Sequence, residues 1–561
     1  MPVEPPSEPP GDADRRPAPS EGLDPSTPPA ETPDTPPLPG RRIALNTAIF
    51  SIATGFSRVA GLVREIVAAR YYGTTAAASA FTLAFQVPNL VRSLFADAAL
   101  SAAFVPVFTE MLEEGRRREA FTLAGALFGL ILAVLGVITA VFMVLAGVII
   151  PPFTGPEYTA ELDALAVGLS RVLFPILLLL GLNGLLVGIL NAYDHFTIPA
   201  LSPLVWNVVI IAGMVGLRGV FDGPDELYAY ALGVLAGTLV QLALAIPPLR
   251  KVGFALKISL DWRDPRVTQV LRLMLPVTIG LGLINFNLLI NTSLGFRISE
   301  EAPAAIEKAF RIYMLPQGMF SVAVATVLFP AISRLAARRD YEGLRRTSAN
   351  GIRQIALLLL PAAAATIALA TPITRLVYEG GTFDAESTRQ VSEALFWFSF
   401  SLPFAGANLM LTRTYFSLQQ PWTPTALAGV TLAINLAVSL ALYEPLGIKG
   451  IVIGTAAGSA AMTVGQAYFL RGRLGGIELP ATLRAVARML LAAAALGGVA
   501  YGVWRLLDDL LGRSLLAQVA AVGVALAAGT AVYTAAVLAL RIPEARQIVQ
   551  LLRGRLRGGA S

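Results

Sequence analysis

Six charged side chains stand inside, or at the start of, segments that are otherwise apolar enough to cross a membrane. They are, in chain order, Arg58, Arg64, Glu65, Arg92, Asp97 and Arg311. An arginine at the centre of a bilayer costs at least about 2.5 kcal/mol on insertion scales. Each of these side chains should therefore face a partner or a water-filled cavity, and they are the candidates for a functional site.

The chemistry of arginine suggests what such a cavity would bind. Arg58 and Arg64 are six residues apart and so lie about 120° apart around a helix; they cannot form one narrow stripe, but both can border a wide cavity. A guanidinium group cannot be deprotonated, and its fork of donors matches phosphate oxygens bidentately. The arginines therefore favour a phosphate ester, such as a diphosphate head group, and we expect Glu65 and Asp97 to orient them.

Structural roles are the alternative for some of these residues. Arg64 and Arg70 could extend their charges to the outer interface, and we favour this role for Arg70. Arg92 and Asp97 could form an ion pair that only stabilises the fold. For Arg58 and Arg92 we favour a position facing the cavity.

The composition indicates what kind of elements position these charges. The 561 residues are 55% hydrophobic and only 14% charged, whereas soluble domains carry about 25% charged residues. The chain has no cysteine and one histidine, which excludes disulfides and Cys/His metal sites. No phosphate-binding GxxxxGK[ST] motif is present, so energy must come from an ion gradient, the membrane potential or the substrate gradient.

Uncharged runs of the length needed to cross a bilayer, about 20 residues, recur twelve times. Their bounds are Phe121–Ile150, Val172–Tyr193, His195–Leu217, Leu227–Leu249, Leu273–Phe296, Ile312–Ser333, Gln354–Thr374, Ala394–Thr412, Thr414–Tyr443, Gly450–Leu470, Met489–Trp504 and Leu515–Leu540. Two charge-interrupted segments, Ile43–Tyr72 and Ala76–Leu112, precede them. The sequence therefore predicts an all-α integral membrane protein of about fourteen transmembrane helices.

A weak internal repeat suggests how these helices are organised. Ala84-Phe85, Pro88, Phe104 and Pro106 of the second helix return as Ala309-Phe310, Pro316, Phe329 and Pro330 of the eighth. Repeats of this kind are common in transporters, with the substrate site between them. We expect a disordered tail (1–40), two pseudo-symmetric six-helix lobes around a central cavity (41–251 and 252–472) and a C-terminal part with two more helices (473–561).

The loop charges predict the orientation of the chain. Arginine and lysine clusters follow the second, sixth and eighth helices, at 116–118, 250–266 and 334–346, and recur after the twelfth and fourteenth helices. Basic residues are retained on the cytoplasmic side of a membrane. Both termini are therefore expected to be cytoplasmic.

Several short motifs resemble a known family. They are Phe56-Ser57-Arg58, Arg64-Glu65, Ala80-Phe81, Pro88-Asn89-Leu90, Arg92, Leu94-Phe95-Ala96-Asp97-Ala98 and Phe104-Val105-Pro106, followed later by Gly188–Ala192, Arg311, Leu315-Pro316 and Gly380–Phe383. Together they resemble the MurJ (MviN) family of lipid II flippases, and the similarity extends over nearly all the chain from Arg41 onward.

The resemblance implies a fold, a site and a partner. The fold would be that of the multidrug/oligosaccharidyl-lipid/polysaccharide exporter superfamily, with a groove near helices 13 and 14 for a polyprenyl tail, in a bacterial cytoplasmic membrane. The family's essential arginines would be Arg58, Arg64, Arg92 and Arg311, which would contact the diphosphate and sugar-peptide head group of lipid II. The residues expected to support or gate the site are Ser57, Glu65, Ser79, Pro88, Asn89 and Asp97.

The same resemblance implies what the protein works with. It would carry no enzymatic activity, metal or cofactor, and would use a coupling ion or the membrane potential. Its partners would be lipid II, membrane lipids and cell wall synthesis proteins, and not nucleic acid.

Three positions depart from the family pattern. Ser79 stands where an acidic residue usually precedes Ala-Phe, Gln86 replaces a frequent lysine, and Phe310 replaces an acidic neighbour of the helix 8 arginine. Two other functions stay open from the residues: export of another polyprenyl-diphosphate oligosaccharide or of drugs by a member of the same superfamily, and a membrane-embedded polyprenyl-phosphate transferase. A transferase would need acidic metal or base residues, which the sequence does not offer.

Overall fold

The computed structural model describes residues 40–95, 98–154, 158–193, 195, 197–251, 253 and 258–546, and the side chains of all of these except 40–54, 92–95, 98–103, 273, 276, 277, 281 and 284. Within this part of the chain the regular structure is helical, with a single isolated bridge between Gly380 and Phe383.

Nineteen α-helices make up the described residues. Their bounds are α1 Gly40–Tyr72, α2 Ala76–Phe95, α3 Ala98–Glu113, α4 Arg117–Ile149, α5 Ala160–Leu173, α6 Pro175–Ala192, α7 Thr197–Leu217, α8 Leu227–Lys251, α9 Pro265–Gly295, α10 Ala302–Pro316, α11 Val322–Ala337, α12 Tyr341–Ala368, α13 Ala370–Tyr378, α14 Ala385–Ser399, α15 Leu402–Ser417, α16 Trp422–Leu446, α17 Ile448–Leu474, α18 Leu479–Leu511 and α19 Leu515–Ala539.

The number of membrane-spanning segments agrees with the sequence prediction. Ten helical segments in the described residues are long and apolar enough to cross a bilayer; α5 with α6, and α10 with α11, each count as one segment. The pair α14 and α15, bent by 48°, makes an eleventh. With α1, the pair α2 and α3, and α9, the helical segments number fourteen.

Several helices begin before the uncharged runs that predicted them: α12, α14 and α18 begin at Tyr341, Ala385 and Leu479, nine or more residues earlier. Two further boundaries are wrong because an arginine was treated as a helix end. Thr414 lies inside α15, and the next long helix begins only at Trp422. The preceding residue, Arg413, stays inside α15 because its guanidinium lies 5.0 Å from the centre of the Phe329 ring, a favourable cation–π contact.

The second error concerns the helix that carries Arg311. The uncharged run begins at Ile312, but α10 begins at Ala302. Arg311 is therefore nine residues into the helix, about two and a half turns, rather than at its start. The helix then passes through a π-helical turn, Gln317–Ser321, before continuing as α11.

Two helices run along a seam between buried apolar clusters. One cluster draws mainly on residues 68–234 and another on residues 294–474. On α1, Ala68 belongs to the first cluster and Ala69 to the second; on α10, Ala304 belongs to the first and Ala305 to the second. Side chains of α1 and α10 that belong to neither cluster therefore face the seam, where they can contact one another.

Candidate functional site

A cavity of about 300 Å³ lies along this seam. Its walls come from α1, α2, α7, α8 and α10, and they combine aromatic rings with charged and amide side chains. The charged and amide side chains are Arg64, Glu65, Gln86, Asn89, Glu307, Lys308 and Arg311. The cavity thus brings together Arg64, Glu65 and Arg311, which the sequence places almost 250 residues apart.

Helical spacing puts these residues on one face of each helix. On α1 the lining residues include Arg64, Ala68 and Tyr72, at intervals of four. On α10 they include Ala304, Glu307 and Arg311, at intervals of three and four. Residues spaced in this way lie above one another on a helix surface, so α1 and α10 each present a continuous stripe to the cavity.

The charges in the cavity form a connected network. Arg64 Nη2 lies 2.5 Å from Glu65 Oε1, and Arg311 Nε lies 3.8 Å from the same oxygen. Arg311 Nη2 is also 2.6 Å from Glu307 Oε1. Glu65 therefore connects a cation of α1 with a cation of α10.

The network has more cations than carboxylates, and some of its hydrogen-bond donors have no partner. Three cations, Arg64, Lys308 and Arg311, face two carboxylates, Glu65 and Glu307. The buried Nε groups of both arginines have no hydrogen-bond partner among the described residues. An unpaired buried donor costs about 1–3 kcal/mol, so an anionic ligand that accepted these hydrogen bonds would bind favourably. No group of three acidic, His or Cys side chains in the described residues could hold a metal ion.

Arg58 lies outside the walls of this cavity. It is seven residues before Glu65 on α1, about 10 Å along the helix axis, and its side chain is exposed. A Cβ atom built on Gly318, in the π-helical turn after α10, would be 2.9 Å from Arg58 Nη1. The seam between α1 and the α10–α11 segment thus holds Arg58 about two turns from Arg64 and Arg311, on the side of the α1 N-terminus.

Two predicted site residues cannot be compared with the cavity. Arg92 belongs to α2, but its side chain lies outside the described residues, and so does the whole of Asp97. Ser57, one residue before Arg58, accepts a hydrogen bond of 3.5 Å through its backbone oxygen from Asn207 Nδ2 of α7.

The predicted supporting residues of α2 occupy different places. Asn89 lines the cavity, and its Nδ2 donates to Asn285 Oδ1 of α9 at 3.0 Å. Pro88 is buried inside α2 and lines a second, mostly apolar cavity next to the first. Ser79 is fully buried and does not line the cavity; its Oγ accepts the backbone N–H of Ala304 at 3.2 Å.

The three departures from the family pattern have structural explanations. Ser79 satisfies one of the N–H groups left free at the start of α10, a need shared by every helix N-terminus. Gln86 lines the cavity, and its Oε1 accepts from Thr292 Oγ1 at 2.6 Å. Phe310 packs against Tyr313 and Phe398, with ring centres 5.7 and 5.8 Å away, on the apolar side of α10.

A tight contact closes the seam where α1 ends. The turn between α13 and α14 lies against α1: Thr382 N donates to Arg70 O at 2.9 Å, and Thr382 Oγ1 donates to Tyr71 O at 2.9 Å. A Cβ atom on Gly381, which has φ +63°, would be 2.3 Å from Arg70 O. Only glycine combines this backbone conformation with such a close approach.

Sequence reasoning missed three cavity residues, Glu307, Lys308 and Trp206. The first two precede the uncharged run of their helix, which begins at Ile312. The signal that could have found them is the spacing of Glu307 and Arg311, since a carboxylate four residues before an arginine is typical of a helix. Trp206 stacks on the Arg64 guanidinium at 5.0 Å, and nothing in its sequence surroundings indicates this.

A second concave surface has the opposite character. A groove of about 220 Å³ lies between α12, α15, α17 and α18 and is lined almost entirely by apolar side chains. They include Leu360, Leu411, Leu470 and Val486. Near the groove, Arg353 Nε is 2.5 Å from Glu544 Oε1, and Arg353 Nη1 is 3.3 Å from Glu478 Oε2.

Comparisons with known proteins agree on one family. The family model described as "Lipid II flippase MurJ" matches residues 68–521. A "Probable lipid II flippase MurJ" of Rhizobium meliloti is 30% identical over 456 residues, which cover 80% of this chain and 84% of that protein. The "Lipid II flippase MurJ" of Burkholderia cenocepacia is 30% identical over 453 residues, 80% of this chain and 87% of that protein.

Solved structures share the fold. A lipid II flippase MurJ in an inward closed conformation has a TM-score of 0.72 at 22% identity, covering 88% of this chain and 99% of that one. An inward-facing multidrug resistance transporter of the MATE family has a TM-score of 0.64 at 16% identity, covering 75% of this chain and 96% of that one.

Proposed function

Because this chain belongs to the lipid II flippase MurJ family, we propose that it moves lipid II from the inner to the outer leaflet of a bacterial cytoplasmic membrane. Lipid II is the precursor of peptidoglycan, a disaccharide-peptide linked through a diphosphate to a polyprenyl chain. The protein is a multi-pass membrane transporter that serves cell wall synthesis and, in this proposal, catalyses no covalent reaction.

The observation that carries the proposal is the excess positive charge in the seam cavity. Arg64 and Arg311 approach from two helices and keep hydrogen-bond donors unpaired. Their charge is permanent, and their planar donor groups suit phosphate oxygens. The diphosphate binds between α1 and α10, and Arg58 and Arg92 extend the positive surface for the rest of the head group.

The supporting residues act on these arginines and on the helices that carry them. Glu65 holds Arg64 and Arg311 in place when no lipid is bound. Ser79 joins α2 to α10 through the backbone N–H of Ala304. Ser57, Pro88 and Asn89 lie on the two helices that must move relative to α10.

The polyprenyl tail stays in an apolar environment while the head group crosses. The groove between α12, α15, α17 and α18 accommodates part of the tail, because its walls are almost free of polar atoms. A long apolar chain gains roughly 0.8 kcal/mol for each CH₂ group that it buries. Head and tail therefore bind to two surfaces of opposite polarity.

The direction of transport follows from the orientation proposed for the chain. Two of the arginine-rich loops meet at one end of the bundle, where Arg266 of α9 pairs with Glu119 of α4 at 2.6 Å. That end is cytoplasmic if basic residues are retained inside, and both termini are then cytoplasmic. The contact of Thr382 with α1 closes the opposite, outer end of the seam.

Transport proceeds by alternating access between two six-helix lobes, residues 41–251 and 252–472. The head group enters from the cytoplasmic leaflet, the contacts of Thr382 with α1 open, and the head group leaves on the outside. An ion gradient or the membrane potential drives the change, with lipid II, surrounding lipids and proteins of cell wall synthesis as partners.

Depletion in a bacterial host separates this function from its alternatives. Loss of a flippase accumulates intact lipid II in the inner leaflet and causes lysis. Loss of an exporter of other oligosaccharides or drugs does neither, and loss of a transferase changes the chemistry of the lipid. Lipid II exposed at the outer leaflet should be measured with and without this protein at a clamped membrane potential; equal exposure would overturn the proposal.

The site assignment has a separate test in the same strain. Arg58→Ala and Arg92→Ala should each fail to support growth after depletion, at matched protein levels. Growth with both variants would show that the positive surface does not extend beyond Arg64 and Arg311.

A further inference from the structure

Lys308 is a buried cation that nothing in the surrounding protein neutralises by direct contact. Its side chain is only 8% exposed and lines the seam cavity beside Glu307 and Arg311. Its ammonium makes no hydrogen bond and no ion pair within 4 Å among the described residues. Both carboxylates of the cavity are instead held by arginines: Glu65 by Arg64, and Glu307 by Arg311.

The contacts that Lys308 does make are weak for a charge in this position. Its Nζ lies 5.6 Å from the centre of the Tyr378 ring, and such cation–π contacts contribute about 0.5–2 kcal/mol. Removing an ammonium from water costs several kcal/mol even after the protein has relaxed. The ring and the more distant carboxylates therefore do not fully replace the water that the ammonium has lost.

A purely structural role would not need the charge. The neighbours of Lys308 on α10, Ala305 and Ala309, belong to an apolar cluster, and Tyr378 is 1% exposed. The Tyr378 hydroxyl bonds to the backbone oxygen of Lys308 at 3.3 Å, a contact that any residue at position 308 could accept. A neutral side chain of similar length would thus fill the same space without the cost of desolvation.

We propose that Lys308 is a substrate-binding residue whose ammonium contacts an anionic oxygen of the lipid head group in the seam cavity. A lysine offers a compact point charge with three donors that rotate freely, whereas an arginine offers a rigid planar fork. Lys308 therefore suits a single oxygen that Arg64 and Arg311 do not hold. This oxygen belongs either to the diphosphate or to a carboxylate of the peptide.

The inference rests on the proposed function, and the test keeps the two apart. Full-length protein in lipid nanodiscs is compared as wild type, Lys308→Met, Lys308→Arg, Arg311→Gln and Lys449→Met. The last is a matched control, because Lys449 is paired with Glu393 at 2.6 Å and lies outside the cavity. The two probes are lipid II and undecaprenyl diphosphate, which lacks the sugar and peptide.

Lys308→Met should weaken lipid II binding about tenfold or more, the usual effect of losing a hydrogen bond to a charged group. Lys449→Met should stay within about threefold of the wild type, and Lys308→Arg, which keeps the charge but not the compact shape, should lose less than Lys308→Met. An equal loss with undecaprenyl diphosphate assigns the contact to phosphate, and a loss with lipid II alone assigns it to the peptide. The dependence of binding on salt should also fall in Lys308→Met, since a charge contact has been removed.

If Lys308→Met bound both probes as tightly as the wild type, the inference would be overturned. If Arg311→Gln nevertheless lost binding, the proposed function would still stand. A wild type that binds neither probe would instead contradict the proposed function itself. If Lys308→Met does not fold, as judged by its thermal unfolding, Lys308→Gln takes its place. Loss of lipid II binding in Lys308→Arg equal to that in the neutral variant would show that shape rather than charge matters, and would also overturn the inference.

Discussion

The seam cavity and the apolar groove show how one helical bundle makes two surfaces of opposite polarity. The cavity holds three cations and two carboxylates on α1 and α10, whereas the groove is lined almost wholly by aliphatic side chains of α12, α15, α17 and α18. In the cavity, polar groups are only partly satisfied by the protein. In the groove, most of the lining offers only apolar contact; the polar side chains are Arg345, whose buried Nε has no hydrogen-bond partner, Ser348, Thr463 and Thr482.

The difference in polarity between the two surfaces indicates where specificity for one lipid can arise. An apolar groove rewards any long hydrocarbon chain in proportion to the area buried, so it cannot tell one polyprenyl lipid from another. Unpaired buried donors discriminate strongly, since a ligand that lacks the matching acceptor leaves them unsatisfied. We therefore expect changes in the cavity to alter which lipid is carried, and changes in the groove to alter how tightly any lipid is held.

The largest effect is expected from Arg311→Gln. Glu307 would lose its 2.6 Å partner, and Glu65 would keep only Arg64. Losing a hydrogen bond to a charged group of the ligand costs about 1.5–3 kcal/mol, so we expect binding to weaken by roughly ten- to a hundredfold. The variant should not support growth after depletion of the host flippase. Arg389→Gln is the matched control, because Arg389 pairs with Glu386 on the exposed surface of α14.

Growth of the Arg311→Gln strain at normal rates would contradict the idea that the cavity selects the lipid. The groove, rather than the cavity, would then be the main determinant of lipid binding.

The next effect concerns the ion pair beside the groove. Glu544 is 2% exposed, and its Oε1 is 2.5 Å from Arg353 Nε. Glu544→Gln removes one of the two carboxylates that pair with Arg353 and leaves Glu478 at 3.3 Å, so we expect the protein to lose about 1–3 kcal/mol of stability. The measurement is thermal unfolding in detergent. Arg346→Gln, an exposed arginine paired with Glu342 one helical turn away on α12, should leave the unfolding temperature nearly unchanged.

Equal unfolding temperatures for Glu544→Gln and the wild type would show that this buried pair does not fix the C-terminal residues to α12. A double variant, Arg353→Met with Glu544→Leu, should recover part of the lost stability, because the buried charges are both removed and Glu478, the other partner of Arg353, is 26% exposed and can be solvated by water.

Much of this architecture could be predicted from the sequence. Long uncharged runs identify most of the membrane helices, because lipid excludes charged side chains, and the cost of an arginine in lipid made Arg58, Arg64, Arg92 and Arg311 candidates, of which Arg64 and Arg311 line the cavity and Arg58 lies outside it. The sequence did not reveal that α10 begins ten residues before its uncharged run, or that Arg413 lies inside α15. In both cases a charge was taken as a helix end, although its partner lies on another helix or one turn away.

Other features depend on tertiary contacts that no local pattern encodes. The stacking of Trp206 on Arg64, the placement of Arg58 beside Gly318 and the isolation of Lys308 all arise where α1, α7 and α10 meet. Periodicity gives the face of each helix but not which faces meet. The charges inside the membrane helices therefore predict that a cavity exists, but only the structure shows which side chains line it.

A moderate effect is expected from filling the groove. Ala467 of α17 lines it, and Ala467→Phe should weaken the binding of lipid II with a full-length tail about tenfold, because the ring occupies the space of the chain. Val464→Phe is the matched control, since Val464 is on the same helix and exposed outside the groove. The same lipid with a short tail should bind both variants equally. If Ala467→Phe weakened the short-tailed lipid as much as the long-tailed one, the groove would not be the tail site.

The smallest effect is expected at the turn that closes the seam. Asp384 caps α14: its Oδ1 accepts the Ser387 N–H at 2.8 Å, and this hydrogen bond lowers the pKa of the carboxyl group. Loss of an N-cap costs about 1 kcal/mol, so Asp384→Ala should lower the unfolding temperature slightly at pH 7, whereas Asp384→Asn should not.

The stabilisation by the Asp384 charge should depend on pH, because the pKa of its carboxyl group is lower in the folded protein than in the unfolded chain. The stabilisation is fully present above the pKa of the unfolded chain, about 3.9, and is lost as the pH falls through the pKa of the folded protein. The difference between wild type and Asp384→Ala should therefore shrink near pH 3. A difference that is constant from pH 7 to pH 3 would show that the charge of Asp384 does not stabilise the start of α14.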